Sequence, residues 1–176
     1  MPNVTPAEIE RAIRNVPDFP KPGIQFKDIT PVLADARLFA GAIDLLTEKF
    51  APGSVDAVVG IDARGFIFAA AAALKLKAGF VPVRKKGKLP YRTHEEDYAL
   101  EYGSATVAMH IDALKPGAHV LLIDDLLATG GTAAAAIALM KKLNAHILEA
   151  GFLIELKFLN GREKLNGIPI RSIVVY

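Results

Sequence analysis

Two adjacent carboxylates in the middle of the chain have a setting suited to ligand chemistry. Asp124 and Asp125 follow the apolar run 120–123 and precede a loop that closes on Thr-Gly-Gly-Thr. Carboxylates accept hydrogen bonds, so the pair would repel a phosphate but could hold the vicinal hydroxyls of a ribose. The loop leads into an alanine-rich segment, and the free N–H groups at the start of a helix bind anions such as phosphate. The stretch therefore predicts a site for a sugar phosphate.

Two other interpretations of this loop exist. It is not the nucleotide triphosphate loop, because the pattern G-x-x-x-x-G-K-[S/T] is missing and no lysine follows the glycines. Taken alone, Thr-Gly-Gly-Thr could equally be a tight β–α turn with two solvated aspartates beside it. The apolar run before the acidic pair and the helix after the loop together favour the sugar-phosphate site.

The elements that must position this site follow from the hydrophobic pattern. A short apolar run such as 120–123 is typical of a parallel strand buried on both faces. The same pattern predicts further strands over 55–61, 80–83, 105–111, 147–156 and 170–175, with helices over 66–74 and 133–140. Strands that alternate with helices predict an α/β fold, a doubly wound sheet of about five parallel strands. Ligands of such sheets bind beyond the carboxyl ends of the strands.

A second loop at such a strand end carries an arginine. Arg64 follows the predicted strand 55–61, and a guanidinium can bind a diphosphate through two hydrogen bonds. As an isolated feature, Arg64 would more often be a surface residue. Beside the sugar-phosphate loop, it supplies a second anion site.

A long charged connection follows the strand 80–83. It begins with Arg84, Lys85, Lys86 and Lys88 and ends in acidic and polar residues. A connection of this length without periodicity is typical of a lid or a disordered segment. A solvated hairpin tip is the alternative. As a lid, the segment would close over a diphosphate and exclude water.

The N-terminal segment is rich in proline and aromatic residues. Thr5 and the proline after it predict the start of a helix that reaches about Asn15, and a second helix is predicted over 35–50. Between them, Pro17, Pro20 and Pro22 predict the absence of regular structure. Aromatic side chains on a stiff backbone suit a flat heterocycle, whereas an arm packed on the core is the other interpretation.

Composition excludes several classes of protein. The chain has 176 residues, 52% of them hydrophobic and 23% charged, a net charge of +2 and no cysteine. Disulfide scaffolds and thiolate metal sites are therefore excluded, and the charge is too small to indicate nucleic acid or a membrane surface. No apolar run approaches the roughly 20 residues of a membrane span. We expect one cytoplasmic domain over 1–176, without a nucleic-acid partner and without a membrane partner.

The residues of the central stretch resemble a known motif. Residues 120–132 are similar to the phosphoribosyl-diphosphate motif of the type I phosphoribosyltransferases. The segments IDDLLATGGT, PGIQFKD and LEYG resemble the adenine-specific members of that family, and the similarity runs from about Val16 to the C-terminus. It implies the family's five-stranded, mainly parallel sheet with an N-terminal adenine hood over 1–34 and a flexible flap over 84–103.

The resemblance implies roles for the residues near the base. Phe26 would stack on adenine, while the backbones of Gln25 and Lys27 would recognise the edge of the base. Glu101 would be the general acid or base, because a proton on adenine must move as the glycosidic bond forms. Tyr102, beside it in LEYG, would bind substrate.

The resemblance also implies roles for the residues near the sugar and its phosphates. Asp124 and Asp125 would hold the ribose hydroxyls and stabilise an oxocarbenium-like transition state. The diphosphate loop, with a non-proline cis peptide bond after its aspartate, would comprise Asp62, Ala63, Arg64 and Gly65. Lys85 and Lys88 would approach the diphosphate, and Arg84 would reach across a dimer interface. The remaining substrate-binding residues would be Leu126, Ala128, Thr129, Gly130, Gly131 and Thr132.

The implied reaction is purine salvage, in which adenine and phosphoribosyl diphosphate give AMP and diphosphate. Mg²⁺ would be bound mainly by substrate oxygens and water, with no dedicated protein ligands, and a homodimer is expected. Three alternatives remain. They are a phosphoribosyltransferase for another purine, a regulator that binds phosphoribosyl diphosphate, and an RNA-binding surface on the basic segment.

Overall fold

The computed structural model describes residues 4–99 and 104–176. Their contacts divide the chain into two compact units, Met1–Leu45 and Leu46–Tyr176. The first unit extends beyond the predicted hood, 1–34, because the first part of a long helix belongs to it. No helix within the described ranges is long and apolar enough to cross a membrane.

The first unit begins with a helix that has a complete N-terminal cap. The Thr5 hydroxyl accepts a hydrogen bond from the Glu8 N–H at 3.3 Å, and the Glu8 carboxylate accepts one from the Thr5 N–H at 2.9 Å. The Thr5 N–H, together with Arg37, lowers the pKa of Glu8 to about 2. The elements that lie in or begin in this unit are α1 Pro6–Ala12, β1 Arg14–Pro17, β2 Gln25–Asp28, α2 Thr30–Ala34 and α3 Ala36–Thr47.

Two predictions for this unit are wrong. α1 ends at Ala12 rather than near Asn15, and the proline-rich segment contains regular structure, since β1 and β2 form an antiparallel pair. Pro17 is compatible with this pair because a proline is tolerated at the end of an edge strand, where its missing N–H is not needed. The rings of Phe19 and Phe26 pack edge to face at 5.1 Å, next to the pair.

The second unit is built on one seven-stranded sheet. Its strand order is β5-β6-β4-β3-β7-β8-β9. The five strands from β4 to β9 in this order are parallel, as predicted, and β6 and β5 extend the sheet in antiparallel direction. The strands are β3 Ala57–Ile61, β4 Gly79–Lys85, β5 Thr93–Ala99, β6 Ser104–His110, β7 His119–Leu127, β8 His146–Glu155 and β9 Ile170–Val175. The helices are α4 Gly65–Leu76 and α5 Gly131–Lys142, with 3₁₀ turns at Lys157–Leu159 and Gly161–Leu165.

β5 lies within the range that was predicted as a flap. It pairs with β6 along its whole length, from Thr93 opposite His110 to Ala99 opposite Ser104. Part of the range 84–103 is therefore regular structure rather than an aperiodic connection. The flexibility of the range stays a prediction, and residues 100–103 lie outside the described residues.

The centre of the sheet is buried on both faces. All five residues of β3 are buried, and so are residues 120–125 of β7. α4 packs closely on β3, since a Cβ added to Gly60 would come within 2.6 Å of the Ala69 methyl group. Because β3 and β7 are parallel neighbours, with Gly60 opposite Ile123, the loops that follow them lie at the same edge of the sheet.

The helix cap of α1 gives a test of the first unit. We expect Thr5→Ala to lower the free energy of unfolding by about 1 kcal/mol, because the Glu8 N–H loses its side-chain acceptor. Thr5→Ser keeps the hydroxyl and should unfold like the unchanged protein. Urea titration of the three proteins measures the difference, and equal stability of all three would contradict the assigned cap.

Candidate active site

A cavity of about 360 Å³ opens at the carboxyl edge of β3 and β7. Its walls are formed by residue 61 at the end of β3 and residues 62–64 of the loop after it, by residues 124–133 at the end of β7 and the start of α5, and by Tyr98 of β5. Most predicted residues of the sugar and phosphate sites therefore share one cavity. They are Asp62, Ala63, Arg64, Asp124, Asp125, Leu126, Ala128, Thr129, Gly130, Gly131 and Thr132.

The acidic pair lies inside β7 rather than after it, which corrects the predicted strand end. β7 continues to Leu127 because its pairing with β8 continues, with Asp124 opposite Phe152 and Leu127 opposite Glu155. Both carboxylates are consequently buried, with Asp124 9% and Asp125 7% exposed.

Burial and mutual repulsion change the acidity of the pair. Desolvation, followed by the charge of Asp125, raises the pKa of Asp124 well above its usual value. Desolvation also raises the pKa of Asp125, and the Arg64 guanidinium opposes this shift. The Asp125 N–H donates a hydrogen bond to Asp124 Oδ1 at 2.9 Å, and Arg64 Nε lies 2.7 Å from Asp125 Oδ2. The cavity thus contains two hydrogen-bond acceptors, one of them paired with a cation.

Gly65 allows α4 to begin directly against the acidic pair. A Cβ at this position would overlap Asp124 Oδ1 and would lie 3.2 Å from the Asp124 Cα. Gly65 does not line the cavity but lies against Asp124, and its role as a substrate-binding residue stays a prediction. The preceding Asp62–Ala63 peptide bond is cis, as the resemblance implied.

The start of α5 forms the other wall. Gly130, the residue before the helix, has φ +77° and no side chain that could cap the first turn. Its carbonyl accepts the first hydrogen bond of the helix, from the Ala134 N–H at 2.9 Å. The N–H groups of residues 131–133 come before this bond. The first N–H groups of a helix have no partner within the helix, and the positive end of this twelve-residue helix is suited to an anion.

Several predicted residues lie elsewhere. Arg84 pairs with Asp62 of its own chain at 2.9 Å and donates to the Lys88 carbonyl at 3.0 Å. Its contact with a second subunit stays a prediction, as do the roles of Lys85 and Lys88, which do not line the cavity. Gln25, Phe26 and Lys27 belong to the first unit. Glu101 and Tyr102 lie outside the described residues.

The sequence interpretation did not include four residues that line the cavity: Ile61, Tyr98, Leu127 and Ala133. Tyr98 is the most notable, because a Cβ added to Gly131 would lie 3.3 Å from its ring. Ile61 and Ala133 could have been found by extending the two loops by one residue, and Leu127 lies between the predicted residues Leu126 and Ala128. Tyr98 has no local signal, since β5 is brought to α5 only by the folded sheet.

Comparison with known proteins agrees with this geometry. The family model described as phosphoribosyl transferase domain matches residues 25–165, which include the whole cavity wall. The adenine phosphoribosyltransferase of Acidothermus cellulolyticus is 57% identical over 162 residues, with 92% of each chain covered. This chain belongs to the adenine phosphoribosyltransferase family.

Solved structures of adenine phosphoribosyltransferases have the same fold. The enzyme from Rhodothermus marinus superposes with a TM-score of 0.92 at 51% identity, covering 97% of this chain and 98% of the other. The Saccharomyces cerevisiae enzyme, solved with adenine and an imino-altritol bisphosphate, gives a TM-score of 0.90 at 42% identity, with coverage of 96% and 97%. These similarities confirm the predicted type I phosphoribosyltransferase fold.

The contact between Gly65 and Asp124 can be tested by adding one methyl group. We expect Gly65→Ala to lower the free energy of unfolding by about 1–3 kcal/mol, because the new Cβ must displace a buried carboxylate or the helix. Gly79→Ala is the matched control, since the nearest atom to a Cβ there would be the Asp56 carbonyl oxygen at 3.5 Å. Denaturant unfolding measures both changes, and equal effects would contradict the close packing of α4 on β7.

The raised pKa of Asp124 predicts a pH dependence. The folded protein favours the protonated form of Asp124, so this residue stabilises the fold at low pH. The stabilisation is lost as the pH rises from about 4, the pKa of Asp124 in the unfolded chain, towards the raised pKa in the folded protein. We expect Asp124→Asn to remove this loss, so that its free energy of unfolding rises relative to the unchanged protein from acidic to neutral pH. Asp112→Asn, on an exposed turn, should show no such trend. Urea titrations across this pH range measure the difference, and parallel profiles would contradict the shift.

Proposed function

We propose that the protein transfers the phosphoribosyl group of phosphoribosyl diphosphate to adenine, giving AMP and diphosphate. The observation that carries the proposal is one cavity with three kinds of groups at its wall. They are the buried acidic pair, the uncapped start of α5 and the arginine of the loop after β3. These groups suit the hydroxyls, the 5′-phosphate and the diphosphate of one substrate. The names of the relatives support adenine as the acceptor.

Asp124 and Asp125 serve the ribose in this proposal. Their oxygens accept hydrogen bonds from the two vicinal hydroxyls, and partial negative charge near the sugar favours the positive charge that develops at the anomeric carbon. The bond from this carbon to the diphosphate oxygen breaks as the bond to the adenine nitrogen forms. Because Arg64 is paired with Asp125 at 2.7 Å, it can neutralise the carboxylate and reach towards the departing diphosphate.

The two phosphate sites follow from the two loops. The backbone of Ala128, Thr129, Gly130, Gly131 and Thr132, together with the threonine hydroxyls, would hold the 5′-phosphate. The loop 62–65 would hold the diphosphate, with Arg84, Lys85 and Lys88 supplying further positive charge near it. Arg84 already contacts this loop through Asp62.

Mg²⁺ fits this donor set as an ion that arrives with the substrate. Among the described residues, no group of three His, Cys, Asp or Glu side chains could hold a metal by itself. Asp124 and Asp125 supply carboxylate oxygens at the cavity, and Mg²⁺ commonly combines one or two carboxylates with substrate phosphates and water. When bound, the ion would neutralise charge on the diphosphate.

Adenine recognition rests on the family resemblance. We assign stacking to Phe26, the reading of the base edge to the backbones of Gln25 and Lys27, and proton transfer to Glu101 beside Tyr102. We also propose a homodimer. The exposed apolar side chains Ile67, Leu74 and Phe80 on α4 and β4 support it, and light scattering tests it.

Base selectivity is the direct test of this function. We expect AMP formation from phosphoribosyl diphosphate, Mg²⁺ and adenine, and no nucleotide from hypoxanthine, guanine or xanthine under the same conditions. Activity with an oxopurine alone would refute the adenine assignment and keep the phosphoribosyl site. Binding of phosphoribosyl diphosphate without turnover of any base would favour the regulator.

The role of Asp125 predicts a large effect on turnover. We expect Asp125→Asn to lower kcat by about 10²–10³-fold, because it removes negative charge from the side of the developing cation. Asp112→Asn serves as the control and should keep full activity. Steady-state kinetics with adenine measure both variants, and an unchanged kcat in Asp125→Asn would contradict the assigned role.

A further inference from the structure

The backbone of Gly161 lies directly against the proposed 5′-phosphate loop. A Cβ at Gly161 would overlap the Ala128 carbonyl oxygen and would lie 3.0 Å from the Gly130 nitrogen. A Cβ at Gly130 would in turn overlap the Gly161 carbonyl oxygen. The two chain segments therefore touch through their main chains, and any shift of Gly161 is transmitted to the loop.

Gly161 is held at the end of a tight connection from β8. The connection leaves the sheet at Leu156, whose N–H donates to the Leu127 carbonyl at 2.9 Å, and passes through Asn160 with φ +53°. The side chain of the next residue, Arg162, reaches back to the end of β8. Arg162 binds Glu155 with Nε at 2.6 Å from Oε1 and the second terminal nitrogen at 2.7 Å from Oε2.

Glu155 is a buried carboxylate with its partners in place. It is 3% exposed, and the Ser172 hydroxyl of β9 donates a hydrogen bond to Oε2, one of the two oxygens that Arg162 contacts. The Arg162 guanidinium and the Ser172 hydroxyl together lower the pKa of Glu155, so the carboxylate is charged at neutral pH. A bidentate pair fixes the angle between two groups as well as their distance. It therefore fixes the course of the chain on either side of Gly161.

The stability of the fold does not by itself require a buried ion pair at this position. Replacing a buried ion pair by apolar residues of similar volume is often neutral or stabilising. Its geometry, however, clamps the ends of the segment 155–162, whose main chain supports the loop after β7. The proposed mechanism makes no use of Glu155, Arg162 or Ser172, since none of them lines the cavity.

We propose that the Glu155–Arg162 ion pair is a positioning element for the 5′-phosphate site. By fixing Gly161 against Ala128 and Gly130, the pair sets the direction of the free N–H groups at the start of α5. The inference rests on the proposed function for the nature of the ligand. Loosening the pair should weaken binding of the 5′-phosphate and leave the diphosphate loop, on the other side of the cavity, unaffected.

Two ligands separate the two anion sites. Ribose 5-phosphate carries only the 5′-phosphate, whereas inorganic diphosphate, with Mg²⁺, probes the loop 62–65. We expect Glu155→Gln to raise the Kd of ribose 5-phosphate at least tenfold and to change that of diphosphate less than twofold, as measured by calorimetry. In steady-state assays, the KM for phosphoribosyl diphosphate should rise while the KM for adenine stays unchanged. Arg162→Lys keeps the charge but loses the second hydrogen bond, so it should give a smaller loss.

Glu149→Gln is the matched control. Glu149 is a second buried carboxylate of β8, 4% exposed and paired with Arg171 of β9 at 3.0 Å. It lies six residues before Glu155, about 20 Å along the strand and away from the phosphate loop. The control should bind ribose 5-phosphate like the unchanged protein even where its thermal stability falls.

The outcomes distinguish this proposal from the proposed function. Unchanged affinity for ribose 5-phosphate in Glu155→Gln, or in Arg162→Lys where the first variant does not fold, overturns the positioning role. An equal loss in Glu149→Gln also overturns it, because the effect would then be general destabilisation. If the unchanged protein binds ribose 5-phosphate but forms no AMP, the transferase function fails while the positioning role is still measured by the two variants. If the unchanged protein forms AMP but does not bind ribose 5-phosphate, the transferase function stands, and an unchanged KM for phosphoribosyl diphosphate in the two variants overturns the positioning role.

Discussion

The parallel pairing of β3 with β7 is the constraint on which the candidate site depends. The register that sets Gly60 opposite Ile123 brings the ends of two strands, about 60 residues apart in the chain, to one edge of the sheet. The loop with Arg64 then lies beside the acidic pair, and their contact at 2.7 Å becomes possible. A slip of this register would separate the guanidinium from Asp125 and divide the cavity.

Close packing around this edge relies on residues without side chains. Gly65 admits the Asp124 carboxylate next to α4, and Gly130 and Gly161 bring two main chains into contact. These contacts hold the cavity walls where their polar groups converge. Asp124 and Asp125 are themselves buried, which is unfavourable for two neighbouring carboxylates and raises the pKa of each. The two carboxylates are therefore electrostatically destabilised at the place where the hydroxyls of a ligand would bind.

The sequence interpretation succeeded where the pattern is local. The buried strands are continuous apolar runs, and β9 was predicted at the bounds that the structure has. It failed for β5, whose residues Thr93–Ala99 include several charges. β5 is an edge strand, and charged residues are common on such edges because they prevent pairing with other chains. The prolines do not predict the β1–β2 pair, because proline is unfavourable inside a sheet and only edge positions tolerate it.

The sequence by itself determined which residue types meet at the candidate site, since the order of strand, acidic pair, glycine-rich loop and helix lies within one continuous stretch. It also determined the family, because the segments IDDLLATGGT, PGIQFKD and LEYG resemble those of its members. Only the tertiary structure decided that Asp124 is buried within β7, that Tyr98 faces Gly131 and that Gly161 supports the loop after β7. Each of these facts joins residues that are distant in the chain. Local propensity and spacing carry no information about such pairs, because strand pairing and the packing of the helices bring them together.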